Sequence, residues 1–274
     1  MNALTAFYIS FSLLFAFFGL FVGSFLNVCI YRIPLNQTIV SVPSHCTSCN
    51  HKLAWYDLFP LFSYLFLKGK CRYCGEHISA QYPLVEALNA IAWGIMAFFT
   101  LYNANNNFGW QTILTVFVYC LFASSLIVLS GIDIYYQIVP DRVNIFIFCL
   151  GILATIADYT NWASHVIGFF AISLPMLVLM LLGGMGGGDM KLYAAAGFLM
   201  GWQNAVLSLI LACLLGSVIS LPTYITQKKK GVKHPLIPFV PFIAAGMFIA
   251  VLWGDSIISW YITTFFGNLI NQGA

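Results

Sequence analysis

Two pairs of cysteines and two aspartates are the residues of this chain whose types and spacing point to chemistry. Cys46 and Cys49 stand in CTSC, Cys71 and Cys74 in CRYC, with 21 residues between the pairs. Four thiolates at that spacing can surround one zinc ion tetrahedrally. The metal would be structural, cross-linking a loop of about 50 residues that is too small to build a core of its own. His45, His51 and His77 lie beside the knuckles. They could replace a thiolate, but they read as surface histidines. Cys29, Cys120, Cys149 and Cys213 are scattered through apolar runs and read as packing residues.

Only 8 of the 274 residues are acidic, so each position carries information. Asp158 and Asp255 fall at outer ends of apolar segments. Asp57 and Glu76 lie in the cysteine loop and read as solvated. Glu86, in YPLVE, opens an apolar segment, where a helix dipole favours an acid. Asp141 follows Pro140 and suits a helix cap. Asp133 and Asp189 stand apart. Asp133 ends a long apolar run. Asp189 follows GGMGGG, five glycines and a methionine. Glycine lets a backbone take positive φ and lets another chain come close. Gly186, Gly187 and Gly188 therefore mark a loop that a substrate backbone could approach. An ionisable group bordering a membrane segment is a functional hypothesis by default, against simple interfacial solvation. Two carboxylates sharing one site would divide a proton between them. One would activate water and the other polarise a scissile carbonyl. That is peptide hydrolysis without a covalent intermediate. The chain has no H-E-x-x-H and no G-x-S-x-G.

The elements that must hold these residues are membrane helices. Apolar residues make up 61% of the chain, charged residues 7%, and the mean hydropathy is +0.91. A soluble domain carries about 25% charged residues. The expected fold is all-α and polytopic, with about eight transmembrane helices and a small cytoplasmic zinc-binding loop. The segments are 5–30, 84–102, 111–131, 142–159, 164–184, 190–200, 204–226 and 237–254. The sixth is short enough to be a half-span, tilted or re-entrant. The first lacks a basic n-region and is too long for a cleavable signal peptide. Eight alternating spans put all 11 Lys and Arg on one side. Basic loops stay in the cytoplasm, so both termini face outward. The domains expected are a first helix at 1–31, a zinc-binding domain at 32–83 and a protease domain at 84–274. Lipid is the surrounding partner, and no nucleic-acid partner is expected.

These blocks together resemble the bacterial type IV prepilin leader peptidases, membrane aspartic proteases of the G-x-G-D class. The resemblance runs through GSFLNVCIYRIP, the two knuckles, LFSYLFLKGKCRYC, YPLVE, the ID…VPD block, GGGDMKL, PFVPF and LWGD. It implies that Asp133 and Asp189 are the catalytic pair. It implies cleavage of the basic leader of prepilins or pseudopilins just after a Gly, at the cytoplasmic face of the bacterial inner membrane. It further implies N-methylation of the new terminus with S-adenosylmethionine, with Gly69 linked to that step. Val240 departs from the family pattern, which has Gly at that place. The rival readings are a proton-coupled transporter using the same aspartates, a thiol–disulfide oxidoreductase and a non-enzymatic pilus assembly factor. The charge rule counts against the oxidoreductase, because it puts the cysteines in the reducing compartment.

Overall fold

The computed structural model describes residues 3–40, 43–104, 108–182, 186–229 and 237–271. Among them the regular structure is helical, apart from two isolated antiparallel bridges, His45 to Lys52 and Lys70 to His77. Composition explains this. Backbone in hydrocarbon must satisfy its hydrogen bonds internally, and a helix does so within one segment. By its contacts the chain divides into two units, Met1–Pro140 and Asp141–Ala274.

The first unit holds α1 (Ala3–Arg32), the cysteine segment with its short α2 (Phe62–Phe66), α3 (Gln81–Asn103) and α4 (Trp110–Tyr136). Small residues let these helices meet backbone to backbone. A Cβ placed on Gly23 of α1 would lie 2.7 Å from the Glu86 Cα of α3. One on Gly131 of α4 would lie 2.7 Å from the Ile30 side chain of α1. A buried polar ladder ties the three together. The Asn89 amide donates to the Gly19 carbonyl at 2.7 Å, the Ser124 hydroxyl donates to Asn89 Oδ1 at 2.8 Å, and Trp93 Nε1 donates to Ser124 Oγ at 2.8 Å. Pro83 is tolerated because it lies in the first turn of α3, where its missing N–H would have no helical partner.

The second unit holds α5 (Asp141–Ala157), α6 (Trp162–Ala171), α7 (Ser173–Leu181), α8 (Gly187–Met200), α9 (Trp202–Lys229) and α10 (Val240–Asn271). The segment expected as one helix from 164 is broken at Ile172, with φ −106° and ψ −35°. Pro175 is the cause: it lacks an N–H, and its ring crowds the carbonyl of Ala171, where α6 ends. The last helix does not stop near residue 254 as expected but continues to Asn271. Val240, the family departure, is the first residue of α10 and is buried. Pro241 then sits in a first turn that tolerates it.

Among the described residues, six segments are long and apolar enough to cross a membrane: Leu4–Arg32, Gln81–Asn103, Trp110–Tyr136, Tyr159–Leu181, Trp202–Tyr224 and Val240–Phe265. The chain is thus an all-α, multi-pass membrane protein. The other two expected spans are shorter. α5 has 17 residues and α8 has 14, or about 26 Å and 21 Å at 1.5 Å per residue. For α8, neighbouring helices flank its full length. A Cβ on Gly187, at the start of α8, would lie 3.0 Å from Met180 Sδ of α7, and one on Gly201, just past its end, would lie 2.8 Å from Ser164 Oγ of α6. So α8 runs antiparallel along the whole α6–α7 pair. Toward the C-terminal end of α8, Gly168 of α6 and Gly197 of α8 bring their backbones into direct contact.

Candidate functional site

The two cysteine knuckles share one local design. Cys46 N–H bonds to the His51 carbonyl at 3.0 Å, and Asn50 N–H returns to the Cys46 carbonyl at 2.9 Å. Cys71 N–H bonds to Glu76 O at 2.8 Å, and Gly75 N–H returns to Cys71 O at 2.9 Å. The fourth residue after each first cysteine is left-handed, Asn50 at φ 57° and Gly75 at φ 74°. Asn and Gly are the residues that enter that region most readily. The turns bring the four sulfurs within 4.8 Å of one another. Tetrahedral thiolates at 2.3 Å from zinc would stand about 3.8 Å apart. Cys46 Sγ and Cys74 Sγ are 3.9 Å apart, far beyond a disulfide bond. All eight cysteines are free thiols. The four-sulfur cluster therefore fits a zinc ion in number, type and spacing.

The thiols are not equivalent. Backbone N–H groups of Cys49 and Ser48 point at Cys46 and lower its pKa to about 6. Cys74 receives the Glu76 N–H, yet desolvation and hydrogen bonds to Cys71, Cys49 and Cys46 push it up to about 12. The histidines are occupied elsewhere. His45 Nδ1 lies 3.3 Å from Pro43 O, His77 Nδ1 lies 3.1 Å from Ile78 O, and the His51 ring packs on Tyr73 at 3.7 Å.

Two acids differ from expectation. Asp57 is not solvated: its side chain is 3% exposed and takes Arg72 Nε at 2.7 Å and the Tyr73 hydroxyl at 3.2 Å. Desolvation is the largest single influence and opposes its ionisation, but the hydrogen bonds from Arg72, the Ala54 N–H and Tyr73, with the Arg72 charge, together outweigh it and hold the carboxyl below its usual range. Both partners flank Cys71 and Cys74, so the pair braces the second knuckle. Glu86 lies past the first turn of α3. It is buried, and its Oε2 accepts the Leu61 N–H at 2.8 Å. That bond pins the cysteine segment to α3.

Gly69 has a backbone reason to be glycine. It has φ +69°, and a Cβ there would lie 3.0 Å from the Tyr64 ring. Its N–H donates to Tyr64 O at 2.9 Å and its carbonyl accepts Ile78 N–H at 2.8 Å.

Asp133 lies in the last turn of α4 and is buried. Its carbonyl accepts the N–H of left-handed Gln137 at 3.0 Å, which closes the helix. Asp189 is in the first turn of α8 and is half-buried. The exposed N–H groups there favour a carboxylate. The two aspartates belong to different units. Of the glycine run, positions 183–185 lie outside the described residues. Gly186 caps α8 in extended conformation, while Gly187 and Gly188 begin the helix. None of these three is left-handed, contrary to expectation. Space is instead what Gly186 leaves: a Cβ there would meet nothing within 4 Å.

Asp141 is the first residue of α5 rather than a cap. Its oxygens take Lys191 Nζ of α8 at 2.8 and 3.0 Å. This exposed pair sets the starts of α5 and α8 at one level. Sequence reasoning missed three buried polar groups. Tyr193 lies one turn beyond Asp189 and is fully buried. Asn144 lies one turn beyond Asp141, and both of its amide atoms lack partners among the described residues. Asn27 of α1 keeps an Oδ1 without a partner among the described residues. A carboxamide inside an apolar run was the available signal.

A helical membrane protein with a four-cysteine cluster that could hold a metal and helix-terminal aspartates is the class these features define. Comparison with known proteins narrows it. Residues 17–100 match the model of the bacterial peptidase A24 N-terminal domain, and residues 120–221 match that of the type IV leader peptidase family. A Bacillus subtilis protein named prepilin leader peptidase/N-methyltransferase is 35% identical over 248 residues, 89% of this chain and 95% of that one. Proteins of the same name from Aeromonas salmonicida and Pseudomonas aeruginosa are 35% and 31% identical, covering 93% and 89% of this chain and 94% and 91% of theirs. No solved structure matches the chain. This chain belongs to the type IV leader peptidase family.

Proposed function

We propose that the chain removes the basic leader of prepilins or pseudopilins after a Gly, at the inner face of the bacterial cytoplasmic membrane, and then N-methylates the new terminus. One observation carries this reading: relatives bearing both activities in their name align over about nine-tenths of the chain. Asp133 and Asp189 are the catalytic pair. Asp189 takes a proton from the attacking water. Asp133 donates its own to the scissile carbonyl; Asp189 then passes its proton to the departing amine, and Asp133 recovers its proton as the new carboxyl forms. Hydrolysis consumes one water and leaves a free carboxyl and a free amine. Gly186, Gly187 and Gly188 leave room for the substrate backbone.

The topology is eight crossings with both termini outside. The Asp141–Lys191 ion pair supports it, because α5 and α8 then start at one face with α5 crossing out and the α6–α7 pair crossing back. The glycine and serine contacts that run α8 along that whole pair support α8 as a crossing. The domains are the first helix at 1–31, the zinc domain at 32–83, held by Cys46, Cys49, Cys71 and Cys74, and the protease domain at 84–274. Gly69 shapes the turn leading into Cys71 and serves methylation through it. S-adenosylmethionine supplies the methyl group when bound.

The test is to incubate the purified chain with a prepilin and S-adenosylmethionine and weigh the product. The reading predicts loss of the leader and gain of one methyl group. An intact prepilin would overturn it.

A further inference from the structure

The C-terminal ends of α1 and α4 and the start of α3 line a half-open cavity of about 370 Å³ that none of the roles above uses. Its walls include Asn27 and Tyr31 of α1, Gln81 and Tyr82 of α3, and Tyr135 and Tyr136 of α4. Four phenol rings and two carboxamides meet there, and among the described residues no charged side chain lines it. Asn27 points to what is missing. It is 4% exposed, and its amide nitrogen is spent on two carbonyls, Gly23 O at 3.3 Å and Tyr82 O at 3.1 Å. Those bonds fix which end of the carboxamide is oxygen. The oxygen is buried and has no partner among the described residues. A buried acceptor without a donor is costly, and a small turn of this wall residue toward the cavity would let a ligand N–H satisfy it.

We propose that this cavity binds the methyl donor, a sulfonium compound carrying an adenine. The proposal rests on the methylation half of the function proposed above. Tyrosine faces stack a purine and attract a cation that has no carboxylate to pair with. Carboxamides pair with the adenine edge, and the accessible Gln81 on the wall offers both a donor and an acceptor for it. A multiply anionic ligand such as a nucleotide phosphate finds no Lys or Arg among the described lining residues, whereas the methyl donor, with its sulfonium, ammonium and carboxylate, is a net cation. The volume lies within the range of small-molecule sites, about 300–1,000 Å³. Position adds a functional reason. Tyr136 is three residues beyond Asp133 on α4, hence on the same helix face. A donor held there is beside the carboxylate at which the new amine is released. Transfer then forms one N–C bond, breaks one S–C bond, and releases a neutral thioether and one proton.

The test uses the full-length protein in detergent. Donor binding is measured by equilibrium dialysis, and bound S-adenosylmethionine is cross-linked by ultraviolet light and mapped by peptide mass. The proposal predicts adducts on peptides containing Tyr82 or Tyr135 and Tyr136. It also predicts about tenfold weaker binding for Tyr135→Leu and for Gln81→Ala, both at accessible positions that remove little packing. Zinc content and thermal melting verify that the variants fold. Labelling confined to the cysteine segment or to α8, or wild-type affinity in both variants, overturns the proposal. If prepilin still gains its methyl group in that event, only the cavity assignment falls. If the wild type neither binds donor nor methylates, the methylation reading falls as well.

Discussion

Replacing Cys46 by serine probes how far one metal ion holds the cytoplasmic segment together. Between residues 43 and 80 only Pro60, Gly69 and Cys71 are buried, so no apolar core stabilises this stretch. Structural zinc contributes roughly 10–16 kcal/mol in small domains. Shared among four thiolates, the loss of one is about 3 kcal/mol, or about a hundredfold in zinc affinity. Cys46 is the thiol readiest to ionise, at about 6, so serine removes the ligand that is already anionic at neutral pH. The assay is competition with a chromophoric chelator, followed by limited proteolysis of the intact membrane protein in detergent. The expected result is about a hundredfold weaker zinc binding and new cleavage between the knuckles. Wild-type protein that carries no zinc when purified from zinc-replete cells would refute the reasoning. So would a variant with unchanged affinity.

Zinc affinity should also depend on pH. The Cys74 thiol is pushed up to about 12, so at neutral pH it holds a proton that the metal must displace. Affinity should therefore rise about tenfold per pH unit from this thiol alone, with Cys46 adding to the dependence only below about 6. A flat chelator-competition curve across neutral pH would contradict this. Gly69→Ala forces a side chain into φ +69° against the Tyr64 ring and should cost about 1–2 kcal/mol locally. It should lower the ratio of methylated to unmethylated cleaved product, read by mass; an unchanged ratio counts against a role for this turn. Asn89→Leu removes the fully buried carboxamide that joins Gly19 to Ser124 and should destabilise the first unit by about 1–3 kcal/mol. Thermal melting in detergent checks it, and a melting point at or above wild type would dismiss the ladder.

The knuckles were readable from the sequence because a C-x-x-C pair is a local device, and local turns place both of its sulfurs. The membrane helices were readable from composition, since hydrocarbon leaves few other choices. Helix breaks and ends were harder. Pro175 was visible, but an apolar stretch on both sides of it hid the break at Ile172. The end of α10 was missed because Asp255 and the polar residues after it do not stop a helix, and no glycine or proline follows at once. The burial of Asp57 depends on Arg72, 15 residues away, which no local pattern links to it. Asn27 was passed over for another reason. When a helix is apolar all round, periodicity does not say which face is buried, so a lone carboxamide gives no hint of whether it faces lipid, a neighbour or a cavity.

The most direct test of the account is leader removal by the Asp133→Asn and Asp189→Asn proteins, purified in detergent and given a prepilin. Each change keeps the side-chain shape while removing the group that gives or takes the proton. The account predicts that both variants fold, keep their zinc and cleave at least about a hundredfold more slowly than wild type. Cleavage at the wild-type rate by either one would contradict it.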